Sequence, residues 1–168
     1  IGCATNSKED PFMGPLLSEH ALENYLRFQG IAVREGADEI MRGKKLERSE
    51  KGFYVSPSIH IVPKVEKKSM YQRTEVFGPN VALYRISDLS EVSSIFNLPD
   101  YGLVASIYSK DKKVFTEVAD DLDFGSLCWN IPSVQTFLQG PALGLGKSGN
   151  FRPMGLMSGM QSTVPVYT

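Results

Sequence analysis

The sequence predicts an α/β fold, and three observations carry that prediction. From residue 80 onward, apolar strand-like runs alternate with stripes of helical period, an order that reads βαβαβ and favours parallel strands with right-handed crossovers. Upstream, an amphipathic helix with a clear start and stop precedes a run of β-favouring residues. The length, 168 residues, suits one domain able to bury a sizeable core.

In chain order, IGCATNSKEDPFMGPLLS reads as an extended linker, and its start at Ile1 suggests a piece of something longer. Ser18 can cap a helix whose apolar face holds Ala21, Leu22, Tyr25, Leu26, Ala32 and Val33. Gly30 weakens the middle of that helix by roughly 1 kcal/mol relative to Ala. Gly36 is its expected stop. FYVSPSIHIV, residues 53–62, has strand composition broken by Pro57, so one or two strands at a sheet margin are expected. The charged stretch KVEKKSMYQR reads as an exposed connection.

The regular part follows. NVALYRI is a strand; Leu89, Val92, Ile95 and Phe96 mark a short helix; GLVASIYS is a second strand. Val114, Phe115, Val118, Ala119 and Leu122 form a second helical stripe, and SLCWN closes the run as a third strand. GPALGLGKSGNFRP is irregular, because its glycines suit positive φ or close backbone approach. The final QSTVPVYT favours an extended edge strand, with Pro165 excluding it from a sheet interior.

Composition excludes several functions. The formal net charge of −1 and a pI near 6.2 recruit neither nucleic acid nor an acidic membrane surface. No apolar run is long enough to span a bilayer and no signal-peptide pattern opens the chain, so a cytoplasmic protein is expected. Cys3 and Cys128 fit neither a disulfide framework nor zinc-ligand spacing, and with only His20 and His60 beside them no metal site is expected. Neither histidine has a sequence partner that suggests acid–base work. Gly146-Lys147-Ser148 resembles the end of a phosphate loop, but Pro141 stands where that loop needs its first glycine.

TEVFGP, residues 74–79, sets a carboxylate beside an aromatic ring ahead of a Gly-Pro break. Read locally, Glu75 is a solvated residue before a turn and Val76 and Phe77 are core. The order of motifs offers another reading. FMGPLLS (12–18), GFYVSPSI (52–59), EVFGP (75–79), YGLVASIYSKD (101–111) and GLGKSGNFRP (144–153) together resemble the C-terminal catalytic portion of the aldehyde dehydrogenase superfamily. WNIP (129–132) followed by SGNFRP is most similar to the succinylglutamic semialdehyde dehydrogenases of arginine breakdown.

That resemblance implies an enzyme using NAD or NADP to oxidise a small-molecule aldehyde to an acid through a cysteine thioester. By it, Glu75 accepts hydrogen bonds from the nicotinamide ribose hydroxyls and Phe77 packs beside the nicotinamide end. It implies a partial catalytic domain over residues 1–160 and an oligomerisation strand over 161–168 of a homo-oligomer. It also places the nucleophile and the base upstream of Ile1, so no catalytic residue is expected here and the isolated chain is expected to be inactive. Cys3 lies in a linker and Cys128 in an expected core strand, where thiols are usually inert.

The chain departs from the family pattern in two places. PALG (141–144) puts Ala142 where relatives carry an aromatic lining the aldehyde tunnel, and SVQTFLQ (133–139) is bulky where small residues occur in the succinylglutamic semialdehyde enzymes. These departures leave a non-catalytic homologue, or a domain serving folding and oligomerisation, as the competing reading.

Overall fold

The computed structural model describes residues 12–134, 143–149 and 155–160. The chain divides into two compact units, one running to Arg85 and the other starting at Ile86.

In the first unit, α1 spans Glu19–Arg34, and Ser18 sits extended at its N-cap with Oγ accepting from the Ala21 N–H at 3.2 Å. The helix buries Leu22, Tyr25, Phe28, Gln29, Ile31 and Ala32. Val33, expected on the apolar face, is 48 % exposed, because the buried stripe runs through Phe28 and Ile31 instead. Gly36 ends the helix as expected: its φ of 92° is left-handed, where glycine carries no Cβ penalty.

Five strands and a short helix follow: β1 Asp38–Met41, β2 Lys45–Leu46, β3 Tyr54–Val55, β4 Ser58–Val62, α2 Met70–Arg73 and β5 Asn80–Tyr84. β2 pairs antiparallel with β3, while β1, β4 and β5 form a sheet in that order. β4 runs antiparallel to β1 and parallel to β5, with Ser58 opposite Asn80 and Val62 opposite Tyr84. Pro57 does split FYVSPSIHIV into two strands, but β4 is central rather than marginal. The proline lies between β3 and β4, so neither ladder needs the N–H it lacks.

KVEKKSMYQR is not merely an exposed connection either. Its end forms α2, with Ser69 Oγ accepting from Gln72 N–H at 2.9 Å and Tyr71 buried. The cause is distant in sequence. The Glu35 carboxylate accepts from Ser69 Oγ at 2.5 Å, Met70 N–H at 2.9 Å and Tyr71 N–H at 3.0 Å, satisfying donors the helix start leaves open. Burial alone would raise the Glu35 pKa, but these bonds and the nearby Arg34 charge outweigh it and hold the carboxyl below its usual range.

Two apolar clusters hold this unit together. One joins Phe28, Ile31 and Ala32 of α1 to Val62 and Tyr71; the other joins Leu16, Leu22, Tyr25 and Val55. Val76 packs against both.

The second unit contains α3 Glu91–Phe96, β6 Tyr101–Gly102, β7 Val104–Ile107, α4 Lys112–Asp120, β8 Ser126–Trp129, β9 Leu145–Gly146 and a 3-10 helix over Gly155–Met160. β7 and β8 are parallel, Val104 opposite Ser126 and Ile107 opposite Trp129, with α4 as their crossover. Asp111 caps α4, its Oδ1 accepting from Lys113 N–H at 2.8 Å. Cys128 is buried on β8. The three strands expected from residue 80 onward therefore divide: the first pairs with β4, and the last two pair with each other.

β6 pairs antiparallel with β9. There Lys147 donates to the Pro99 carbonyl at 3.1 Å and lies over the Tyr101 ring, so its ammonium is engaged by the protein itself. The expected strand over 161–168, Cys3 and Ala142 lie outside the described residues. No helix among the described residues is long and apolar enough to cross a membrane.

Candidate functional site

Residues 74–79 connect α2 to β5, and α1 fixes where they run. Tyr25, fully buried, donates its hydroxyl to Ser56 O at 2.8 Å and lies 3.4 Å from Pro79 O. Burial raises its pKa, so the phenol stays protonated and able to donate. Its ring fills the space where a Gly78 side chain would be, a Cβ there falling 2.5 Å from Cδ2. Backbone bonds complete the fastening: Ser58 N–H to Pro79 O at 2.9 Å and Asn80 N–H to Gly78 O at 2.8 Å. Gly78-Pro79 is thus more than a break: the missing side chain at Gly78 lets the loop lie on the tyrosine ring.

On its outer side the loop lines a groove of about 1020 Å³. Glu75 and Phe77 of the loop line it together with His20, Asn24 and Arg27, which form its α1 wall. The three α1 residues recur at helical spacing and bond in series: Arg27 donates to Asn24 Oδ1 at 3.0 Å, and the Asn24 amide donates to His20 Nε2 at 2.8 Å. The FMGPLLS stretch contributes Met13, Pro15 and Leu16, so two motifs distant in sequence meet at one groove.

Phe77 is 74 % exposed, which corrects the local reading of it as core, whereas Val76, also read as core, is half-buried and packs against the core. The Glu75 carboxylate is exposed and has no hydrogen-bond or ion-pair partner among the described residues. An acceptor-only group beside an exposed ring is suited to ligand hydroxyls next to a flat apolar face. Sequence reasoning found this pair but missed the α1 wall, although the spacing of His20, Asn24 and Arg27 was a usable signal.

Both histidines turn out to have side-chain partners, His20 with Asn24 and His60 with Tyr71, neither of them a carboxylate. His60 is fully buried in β4. Burial lowers its pKa below 6.5, while the charge of Glu39 and the nearby Asn80 side chain act in the opposite sense. The unfolded chain therefore takes up a proton near pH 6.5 that the folded chain resists, and stability should fall as pH drops below 6.5 until the folded pKa is passed. Urea midpoints between pH 7.5 and pH 5 check this: His60→Gln should flatten the slope, and an unchanged slope would exclude His60 as its source. Glu35 adds a loss in the same direction at lower pH, below about 4.5.

Comparison with known proteins places these features in context. The profile of the aldehyde dehydrogenase family matches residues 3–165. Alpha-ketoglutaric semialdehyde dehydrogenase of Bacillus subtilis is 32 % identical over 85 % of this chain and 29 % of its own length. Lactaldehyde dehydrogenase of Escherichia coli is 33 % identical over 84 % of this chain and 29 % of its own. Among solved structures, a lactaldehyde dehydrogenase superposes with a TM-score of 0.75 at 32 % identity, covering 86 % of this chain and 29 % of that one. A Staphylococcus aureus betaine aldehyde dehydrogenase in complex with NAD+ gives 0.77 at 27 % identity, over 89 % and 30 %. The chain thus spans about three tenths of the length of the relatives it matches.

Proposed function

This chain belongs to the aldehyde dehydrogenase family, and we propose that it supplies one part of a nicotinamide-cofactor site in an enzyme that oxidises an aldehyde to a carboxylic acid. The observation that carries the reading is the groove lined by both the exposed Phe77 ring and the Glu75 carboxylate, which has no partner among the described residues. NAD or NADP, when bound, supplies the hydride acceptor. The residues present fit such a group: Glu75 can accept from two ribose hydroxyls, Phe77 limits where the nicotinamide ring sits, and the α1 wall bounds the groove.

Glu75 and Phe77 act by orientation, since neither moves a proton in this reading. The nucleophile and base are assigned to segments not included in these residues, and buried Cys128 takes no part. The similarity of WNIP and SGNFRP to succinylglutamic semialdehyde dehydrogenases supports a substrate of that class, although the relatives named above act on other aldehydes. Assembly as a homo-oligomer through residues 161–168 is part of the same proposal.

Glu75→Gln tests the reading. The amide keeps an acceptor but loses the charge, and a charge-assisted bond is worth about 1.5–3 kcal/mol, so nicotinamide mononucleotide should bind roughly tenfold or more weaker. Titration of the mononucleotide into the natural chain and the variant, followed by NMR, gives the answer. Equal affinities would remove Glu75 from the cofactor site.

A further inference from the structure

Beneath the loop that carries Glu75 and Phe77 lies a chain of polar side chains with a defined direction. Tyr71 Oη is 3.1 Å from His60 Nδ1 and 3.1 Å from Asn80 Oδ1, and Ser58 Oγ is 3.0 Å from the same Asn80 oxygen. Asn80 Oδ1 can only accept, so the single phenol hydrogen of Tyr71 goes there. The hydrogen on the other bond must then come from His60, which fixes the Nδ1–H tautomer. Nε2 is left as a bare lone pair, and it is indeed buried with no partner among the described residues. The order is His60 Nδ1–H to Tyr71 hydroxyl to Asn80 Oδ1, with Ser58 as a second donor to Asn80.

Three of the four side chains are almost completely buried: His60 and Ser58 are 0 % exposed and Tyr71 is 5 % exposed. The His60–Tyr71 bond is buried and the two bonds to Asn80 are partly buried, so water has limited access to replace a lost partner. Tyr71 lies in the short helix α2, which leads into the loop, and Asn80 begins β5, just after it. Their bond therefore closes the neck of residues 74–79. Glu35, bound to Ser69, Met70 and Tyr71, keeps α2 from carrying that tyrosine away.

We propose that Tyr71 is a positioning residue whose hydroxyl, bridging His60 and Asn80, closes the neck of the 74–79 loop and holds Glu75 and Phe77 at the groove. Its importance to function rests on the cofactor reading of those two residues, whereas the closure of the loop does not.

Two variants cut the same link: Tyr71→Phe keeps the ring, and Asn80→Ala changes a half-exposed residue at the start of a strand. In either, backbone order parameters of Glu75, Val76, Phe77 and Gly78 should fall from about 0.85 to below about 0.6. Amide exchange at Ile61 and Leu83 in the β4–β5 ladder should change little. The double variant should be looser by less than the sum of the two single ones, because they share the Tyr71–Asn80 bond while each also loses one bond of its own, to His60 or to Ser58. Loop order retained in Tyr71→Phe, loosening that adds up in the double variant, or faster exchange in the strands without loosening of the loop would each overturn the proposal.

Nicotinamide mononucleotide separates this proposal from the cofactor reading. Tyr71→Phe should weaken its binding about fivefold, the worth of one ordinary hydrogen bond. If the loop loosens but Glu75→Gln binds the mononucleotide as the natural chain does, the cofactor reading fails and the positioning role stands.

Discussion

Tyr25→Ala should destabilise the first unit by about 3–5 kcal/mol, the range for truncating a buried aromatic side chain. The ring is fully buried with Leu16, Leu22 and Val55, and the hydroxyl serves Ser56 O. Gly43 and Gly78 both bring backbone so close that a Cβ on either would collide with the ring, so the space left behind cannot close without moving two chain segments. Tyr25→Phe separates the parts. It keeps the packing and strands the carbonyl partner, at a cost of about 1–2 kcal/mol. Urea unfolding, with amide exchange in β4 reporting on this unit, measures both. A cost below about 1 kcal/mol for Tyr25→Ala would mean that the ring is not the fastening between α1 and the 78–79 segment.

The same tyrosine shows what the sequence could and could not reveal. Its place on the buried face of α1 follows from spacing alone, as do the Ser18 cap and the Gly36 stop, because these are decided within a few residues. Its contact with Gly78, more than 50 positions on, leaves no local trace. α2 was missed for the same reason: Glu35, which satisfies its first donors, is 34 to 36 residues away. The central position of β4 depends on β1 and β5 arriving on either side, and composition does not report that.

At the site, Glu75 and Phe77 were legible through the company of neighbouring motifs, since a carboxylate beside a ring has no special meaning by itself. The α1 wall was readable in principle, but His20, Asn24 and Arg27 look like any solvated helix face until they are seen lining one groove with the loop. His60 shares its strand parity with Ser58 and Val62, and all three are buried. That parity was the available hint that this histidine points inward.

In the second unit, Gly125→Ala should produce a loss at the upper end of the overpacking range, about 3 kcal/mol. Gly125 starts the turn into β8 and donates its N–H to Gly102 O at 3.0 Å. A Cβ on Gly125 would collide with the carbonyl oxygen of Leu143, and one on Gly102 with that of Asp123. Main-chain atoms cannot rotate away as a side-chain tip can, so the added methyl must push apart β8 and the segment leading into β9. Gly102 also faces Leu145 across the ladder and donates its N–H to Ser148 Oγ at 3.1 Å, so the two glycines together seat the first residues of GLGKSGN. Gly102→Ala should therefore cost a similar amount. Gly30→Ala in the first unit is the contrast, read by amide exchange in α1: nothing lies within 4 Å of its missing Cβ, and a mid-helix alanine should instead stabilise by up to about 1 kcal/mol. Trp129 on β8, which donates to Ser109 Oγ at 3.1 Å, gives a fluorescence probe of this unit. If Gly125→Ala leaves the urea midpoint of this unit where it is in the natural chain, the close approach at Leu143 is not what requires glycine there.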